Sequence, residues 1–191
     1  KMAERGYLEG AEMASTFNMI SENDLIWSFV INNYLLGNDP FPFDLLYWNS
    51  DSTRMPYAMH SFYLRNFYQE NNLVKPGGIT LAGEPIDLRK VKVPTYFLST
   101  REDHIAPWTA TYKGTQIFTG PIHFTLAASG HIAGVINPPA GNKYCYWFTD
   151  KKPPADPEEW LAHAKKKDGS WWPDWDAWVK KHSGKEQVPA R

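Results

Sequence analysis

Val93-Pro94-Thr95-Tyr96-Phe97-Leu98-Ser99 and, after an interval, Ile122-His123-Phe124-Thr125-Leu126-Ala127 decide the fold. Each is a short apolar run, as expected of a strand buried on both faces. Pro94 stands near the start of the first run, where a missing N–H is tolerated. Between the two, Trp108 to Phe118 carries a helix signal. Strand, helix and strand within roughly 35 residues is the βαβ pattern, which predicts a parallel pair.

Working outward, Asp156-Pro157-Glu158-Glu159 is a helix start: a capping Asp, Pro at the first position, and acids in the first turn. Lys165-Lys166-Lys167 suits the C-terminal end of that helix, and Asp168-Gly169 stops it. Trp171 to about Lys181 predicts a last, aromatic helix, with a frayed end from Ser183 to Arg191. Upstream, Ile79-Thr80-Leu81-Ala82 reads as a short strand after Pro76-Gly77-Gly78. Before that the character changes. Ser21 and Asp24 form a capping-box pair, and Leu25, Ile26, Phe29, Val30, Asn33 and Tyr34 follow at helical spacing. Gly37-Asn38-Asp39-Pro40 ends this helix. Phe41 to Trp48 is a dense apolar run broken by Pro42, and Pro56 to about Glu70 predicts a second helix. The expected organisation is a helical, aromatic part over 1–76. Over 77–191 we expect the closing strands and helices of an open α/β sheet.

Composition bounds the function. The 191 residues are 42% apolar and 21% charged, enough to bury a core. Lys plus Arg is 20 against 21 for Asp plus Glu, which argues against a basic surface for nucleic acid. One cysteine excludes an internal disulfide framework and a multi-cysteine zinc site. No apolar run reaches the roughly 18 residues of a membrane span, and no signal peptide opens the chain, so a cytoplasmic protein is expected. The chain opens on Lys1, which suggests a piece of something longer.

Two loops follow the two deciding strands. Ser99-Thr100-Arg101-Glu102-Asp103-His104-Ile105-Ala106-Pro107-Trp108 is one, and Ala128-Ser129-Gly130-His131-Ile132-Ala133-Gly134 is the other. Sites in open parallel sheets form just beyond the carboxyl ends of strands. An acid in such a loop is commonly a helix cap, and a His in a glycine-flanked turn is commonly structural. Together, on consecutive strands, Asp103 and His131 match the last two members of the hydrolase order: nucleophile, acid, histidine. His131 would be the general base, and Asp103 would orient its ring. His104 competes as a base but adjoins Asp103 on a short loop. The nucleophile is missing. No Gly-x-Ser-x-Gly or Gly-x-Cys-x-Gly elbow exists. Cys145 lies after the histidine and lacks flanking glycines, so it reads as structural. There is no phosphate loop, dinucleotide fingerprint or metal-ligand spacing. Trp171, Trp172, Trp175 and Trp178 form a helical aromatic face, read first as core or interface and second as a polymer platform.

At these residues the chain resembles the C-terminal part of the catalytic domain of class I polyhydroxyalkanoate synthases. Four segments carry the resemblance: Asn38 to Asn49, Ser99 to Trp108, Ala128 to Pro139, and Gly169 to Trp175. It implies an α/β-hydrolase core, a parallel sheet with helices on both faces, carrying a helical cap (lid) subdomain to which 1–76 would belong. It implies acyl transfer from (R)-3-hydroxyacyl-CoA to a growing polyester with release of CoA, without any further cofactor. Asp103 matches the family's catalytic Asp, which also activates the 3-hydroxyl of the incoming unit, and His131 matches its catalytic His. Trp48 matches a family Trp tied to activity and to dimer contacts. The family nucleophile is a Cys in a lipase-like box, which these residues lack, so it would lie upstream or on a separate N-terminal segment. The resemblance further implies a homodimer associated with polyester granules.

Two other readings stand beside it. An ordinary α/β-hydrolase (an esterase, thioesterase or depolymerase) would share Asp103 and His131 but carry Ser in the missing elbow. A non-catalytic granule- or partner-binding fragment would use the aromatic surfaces alone.

Overall fold

The computed structural model describes residues 2–20, 22–40, 42, 51–149, 151–184, 186 and 188–189. The chain divides into two compact units, Lys1–Asn72 and Leu73–Arg191.

The first unit is helical. Met2–Arg5 (α1) and Gly10–Ile20 (α2) flank the two-residue strand Tyr7–Leu8 (β1), which pairs antiparallel with Met55–Pro56 (β2). The stretches expected as single helices are partly wound one residue wider than an α-helix. Asn23–Trp27, Val30–Leu35 and Leu64–Gln69 are wide, and regular α-geometry in the second stretch spans Tyr57–Tyr63 (α3). Such wide turns are rare and occur mostly as single turns set within α-helices. Gly37, at a φ of +67°, stops the second wide turn as expected of a helix-ending glycine. The Ser21 cap and most of the run from Phe41 to Trp48 lie outside the described residues. Large apolar side chains are widely exposed here, among them Tyr34 at 84%, Tyr68 at 72% and Met19 at 71%.

The second unit opens with a tight hairpin, Thr80–Leu81 (β3) against Glu84–Pro85 (β4). Its two turn residues, Ala82 and Gly83, both have positive φ, the geometry that matches strand twist in a two-residue loop. The main sheet follows: Thr95–Thr100 (β5), Ile122–Ala127 (β6), Cys145–Phe148 (β7) and Lys165–Asp168 (β8), in that spatial order. β5 and β6 are parallel, in register from Thr95↔Ile122 to Thr100↔Ala127. Their crossover holds Trp108–Tyr112 (α4), which tightens into a 3₁₀ turn over Lys113–Gln116.

The expected parallel sheet is corrected here: the sheet is mixed. β7 runs antiparallel to β6, and β8 antiparallel to β7. A parallel neighbour needs a crossover that carries the chain back to the starting edge. The connection from β6 to β7 has only a short turn, Pro139–Gly141, so the chain re-enters the sheet from the end it left.

A second correction concerns Lys165-Lys166-Lys167. Pro157–His163 (α5) ends before them, and they form the exposed edge strand β8. Lysines on a terminal strand discourage pairing with another chain. Three charges in a row carry no alternation, so the strand was invisible to pattern reading. The start of α5 does follow expectation: Asp156 Oδ1 accepts the Glu158 N–H at 3.0 Å, with Pro157 in the first turn.

Helices lie on both faces of this sheet. On one, Tyr112, Phe124, Leu126 and Trp160 form the buried core, with Phe97, Trp108, Trp147 and Leu161 packed against it. On the other, Tyr96, His123 and Thr125 meet Trp172–His182 (α6).

Candidate functional site

The site is built from the equal register of β5 and β6. Thr100 pairs with Ala127 at their carboxyl ends, so the two following loops leave the sheet side by side. Main-chain bonds then tie the loops together. Arg101 N–H donates to Ala127 O at 2.8 Å, and Glu102 N–H donates to Ser129 O at 3.0 Å. Ser129 adopts a left-handed φ of +76°, uncommon for a residue with a side chain. That twist directs the chain into the turn that carries His131.

Asp103 and His131 come together there, 28 residues apart in the chain. His131 Nδ1 lies 2.8 Å from Asp103 Oδ2. The other carboxylate oxygen accepts two main-chain N–H groups, from Ile105 at 2.8 Å and Ala106 at 2.9 Å. The Thr100 hydroxyl stands 3.5 Å from Oδ2. Asp103 is therefore held at both oxygens. Burial pushes its carboxyl pKa upward, but the Ala106 N–H, His131 and the Ile105 N–H outweigh burial and hold it below its ordinary value. An ionised carboxylate only accepts hydrogen bonds. On this contact the His131 Nδ1–H donates to the carboxylate, and Nε2 lies on the other side of the ring. The Asp103 side chain is 9% exposed and that of His131 45%, so the acid is sunk and the ring is open to a reactant.

The turn beyond His131 is tight. Gly134 N–H bonds Gly130 O at 3.0 Å and Ile136 N–H bonds Ile132 O at 2.9 Å. A Cβ on Gly134 would stand 2.5 Å from Thr100 Cγ2 and 2.6 Å from Ala128 O. Only glycine lets the turn approach the end of β5 this closely.

The other named residues fall elsewhere. His104 is exposed and takes no part in the Asp103–His131 pair. Cys145 begins β7, half-buried; its carbonyl accepts the Ala128 N–H, and its thiol has no hydrogen bond to His131. Trp48 lies outside the described residues. Among the described residues no group of three His, Cys, Asp or Glu could hold a metal ion, and no helix is long and apolar enough to cross a membrane.

A second His–Asp contact escaped the sequence reading. Asp174 Oδ2 receives His123 Nε2 at 2.9 Å, the Tyr96 hydroxyl at 2.8 Å and the Thr125 hydroxyl at 3.3 Å. Burial raises the Asp174 pKa, but hydrogen bonds from His123 and Tyr96 bring it below its ordinary value. Burial drives the Tyr96 hydroxyl strongly upward, so it stays a donor. Contacts 49 to 78 residues apart leave no spacing signal in the chain. The one hint was a histidine inside an apolar strand.

No protein-family model matches the chain. Among curated proteins it is 56% identical over 190 residues to a poly(3-hydroxyalkanoate) polymerase subunit of Rhizobium meliloti. It is 54% identical over 192 residues to the poly(3-hydroxyalkanoate) polymerase of Methylorubrum extorquens, and 50% over 184 residues to a polymerase subunit of Cupriavidus necator. The alignments take in 100%, 100% and 96% of this chain, and 31% of each relative. The chain thus spans about a third of the length of the curated relatives it matches.

Proposed function

Because the chain belongs along its whole length to the poly(3-hydroxyalkanoate) polymerase family, we propose that it supplies the base and its orienting acid for polyester synthesis. The substrate is an (R)-3-hydroxyacyl-CoA. The reaction is acyl transfer with release of CoA. The observation that carries this is the Asp103–His131 contact of 2.8 Å at the carboxyl ends of two parallel strands.

The nucleophile is a cysteine thiol from family sequence outside the matched third. His131 Nε2 takes the thiol proton, and the thiolate attacks the thioester carbonyl. The carbon–sulfur bond to CoA breaks, and the CoA sulfur leaves with the proton held on His131. Asp103 steadies the imidazolium between these steps. In the next step the 3-hydroxyl of one unit attacks the thioester of another, its proton passing to His131 with Asp103 behind it; the carbon–sulfur bond of that thioester breaks, and the departing thiolate takes the proton back from His131. Exchange of one thioester for another is nearly balanced, so a thiol suits this substrate.

The surrounding scaffold is an α/β-hydrolase core with the first unit as its helical cap. The exposed aromatic and aliphatic side chains of that unit support this reading, because an apolar polymer needs an apolar cover. The same exposed surfaces support a homodimer associated with polyester granules.

The deciding experiment is thiol release from (R)-3-hydroxybutyryl-CoA by the polymerase of natural length. His131→Ala should abolish release and polymer formation together. Release of free 3-hydroxybutyrate without polymer would make the protein a hydrolase. Undiminished polymer formation by the variant would overturn the assignment.

A further inference from the structure

We propose that Trp171, Trp172 and Asp174 are positioning residues that hold the His131 turn from behind. The indole N–H groups of Trp171 and Trp172 both donate to a single acceptor, the Val135 carbonyl, at 3.2 and 3.0 Å. Val135 stands four residues beyond His131, inside the turn closed by the Gly134–Gly130 and Ile136–Ile132 bonds. A carbonyl has two lone pairs, so both donors fit, and together they fix where the turn sits.

The two tryptophans are themselves fixed. Gly169 turns the chain at a φ of +90°, and its N–H donates to Tyr144 O at 3.0 Å. The buried Ser170 accepts the Trp172 N–H on its hydroxyl at 3.1 Å, shaping the entry into α6. One turn on, Asp174 latches α6 to the sheet through Tyr96, His123 and Thr125, side chains of the two strands that end at the site. The Tyr96 ring also packs on Trp171 and Trp178, with centroids 6.2 and 5.5 Å apart. A continuous path of contacts therefore runs from the interior of β5 and β6, through Asp174 and the start of α6, to the turn that carries His131.

Packing alone does not account for this arrangement. An aromatic face that only fills space needs no N–H, yet two indole N–H groups converge on one carbonyl. The His131 ring is half-exposed and, among the described residues, is held at Nδ1 by Asp103, so its placement depends on its backbone. The geometric part of the proposal stands on these contacts. Its catalytic consequence rests on the reading of His131 as general base.

The test separates the two. In the polymerase of natural length, the proton between His131 Nδ1 and Asp103 should give a downfield proton resonance. Trp171→Phe/Trp172→Phe should shift that resonance and speed its exchange with water. Lys181→Ala, on the exposed side of the same helix, should leave it unchanged. In the polymerase of natural length, the double variant should lower kcat for thiol release roughly 10- to 100-fold, the scale of a small misplacement of a catalytic group, with KM unchanged. Asp174→Asn should act in the same direction. An unmoved resonance and an unchanged kcat in a folded double variant would overturn the proposal. If the double variant does not fold, the two single variants decide it on the same resonance, and no shift in either rejects it. A shifted resonance in a protein whose wild type releases no thiol would keep the positioning role and reject the assigned chemistry.

Discussion

The Glu102 N–H donates to the Ser129 carbonyl at 3.0 Å, one residue before Asp103 and two before His131. This main-chain bond closes the gap between two loops that share no sequence neighbourhood. It makes the separation of Asp103 and His131 a property of the backbone, with side-chain rotamers adding only the last step.

Asp103→Asn tests the acid. The amide cannot accept from Nδ1–H as an ionised carboxylate does, and a flipped amide would stabilise the wrong tautomer of His131. On the proposed assignment, thiol release by the polymerase of natural length should fall about 10³- to 10⁴-fold, as for an acid behind a catalytic histidine. Far-ultraviolet circular dichroism should be unchanged.

Acid should expose the same contact in stability. The folded-state pKa of Asp103 is lowered by its hydrogen bonds. Its contribution is therefore complete above the unfolded carboxylate pKa of about 3.9 and is lost as pH falls through the lower folded value. The stability gap between wild type and Asp103→Asn should shrink as pH falls below about 4. Denaturant titrations across that range read it.

Gly134→Ala should disturb the His131 turn without touching either ionisable group. Two of the three atoms that its Cβ would meet are main-chain oxygens, those of Ala128 and Gly130, which cannot swing aside. A cost of about 1–3 kcal/mol is expected from such overpacking, read as a lower denaturation midpoint. Loss of thiol release should exceed what the unfolded fraction explains.

Trp160→Ala should be the most damaging of these core changes. Trp160 is 1% exposed, and its ring packs on Tyr112, Phe124 and Trp108. Its removal should cost about 3–5 kcal/mol and lower the Tm by roughly 6–20 °C. Trp160→Phe should recover much of that loss.

Asp156→Ala removes the cap of α5. The Glu158 N–H loses its acceptor, at a cost of about 1 kcal/mol. The urea midpoint should fall with an unchanged m-value, and thiol release by the folded enzyme should be unaffected.

The sequence by itself determined the elements whose cause is local. The apolar runs of β5 and β6 and the crossover helix between them follow from nearest-neighbour chemistry, as do the Asp156 cap, the glycine at 37 and the aromatic helix α6. The Asp103–His131 contact was also legible, because both residues sit directly after parallel strands and the register of such strands carries loop ends together. The directions of β7 and β8 were decided only by the tertiary structure. Tyr144 to Phe148 and the lysine run carry no periodicity, and whether a strand enters parallel or antiparallel depends on which end of the sheet the chain has reached. The latch of Asp174 on Tyr96, His123 and Thr125, and the double indole bond to Val135, were likewise beyond sequence. Burial makes them necessary, since a carboxylate placed against a sheet must find donors, but which donors it finds is set by the packing of α6 across strands 49 to 78 residues away.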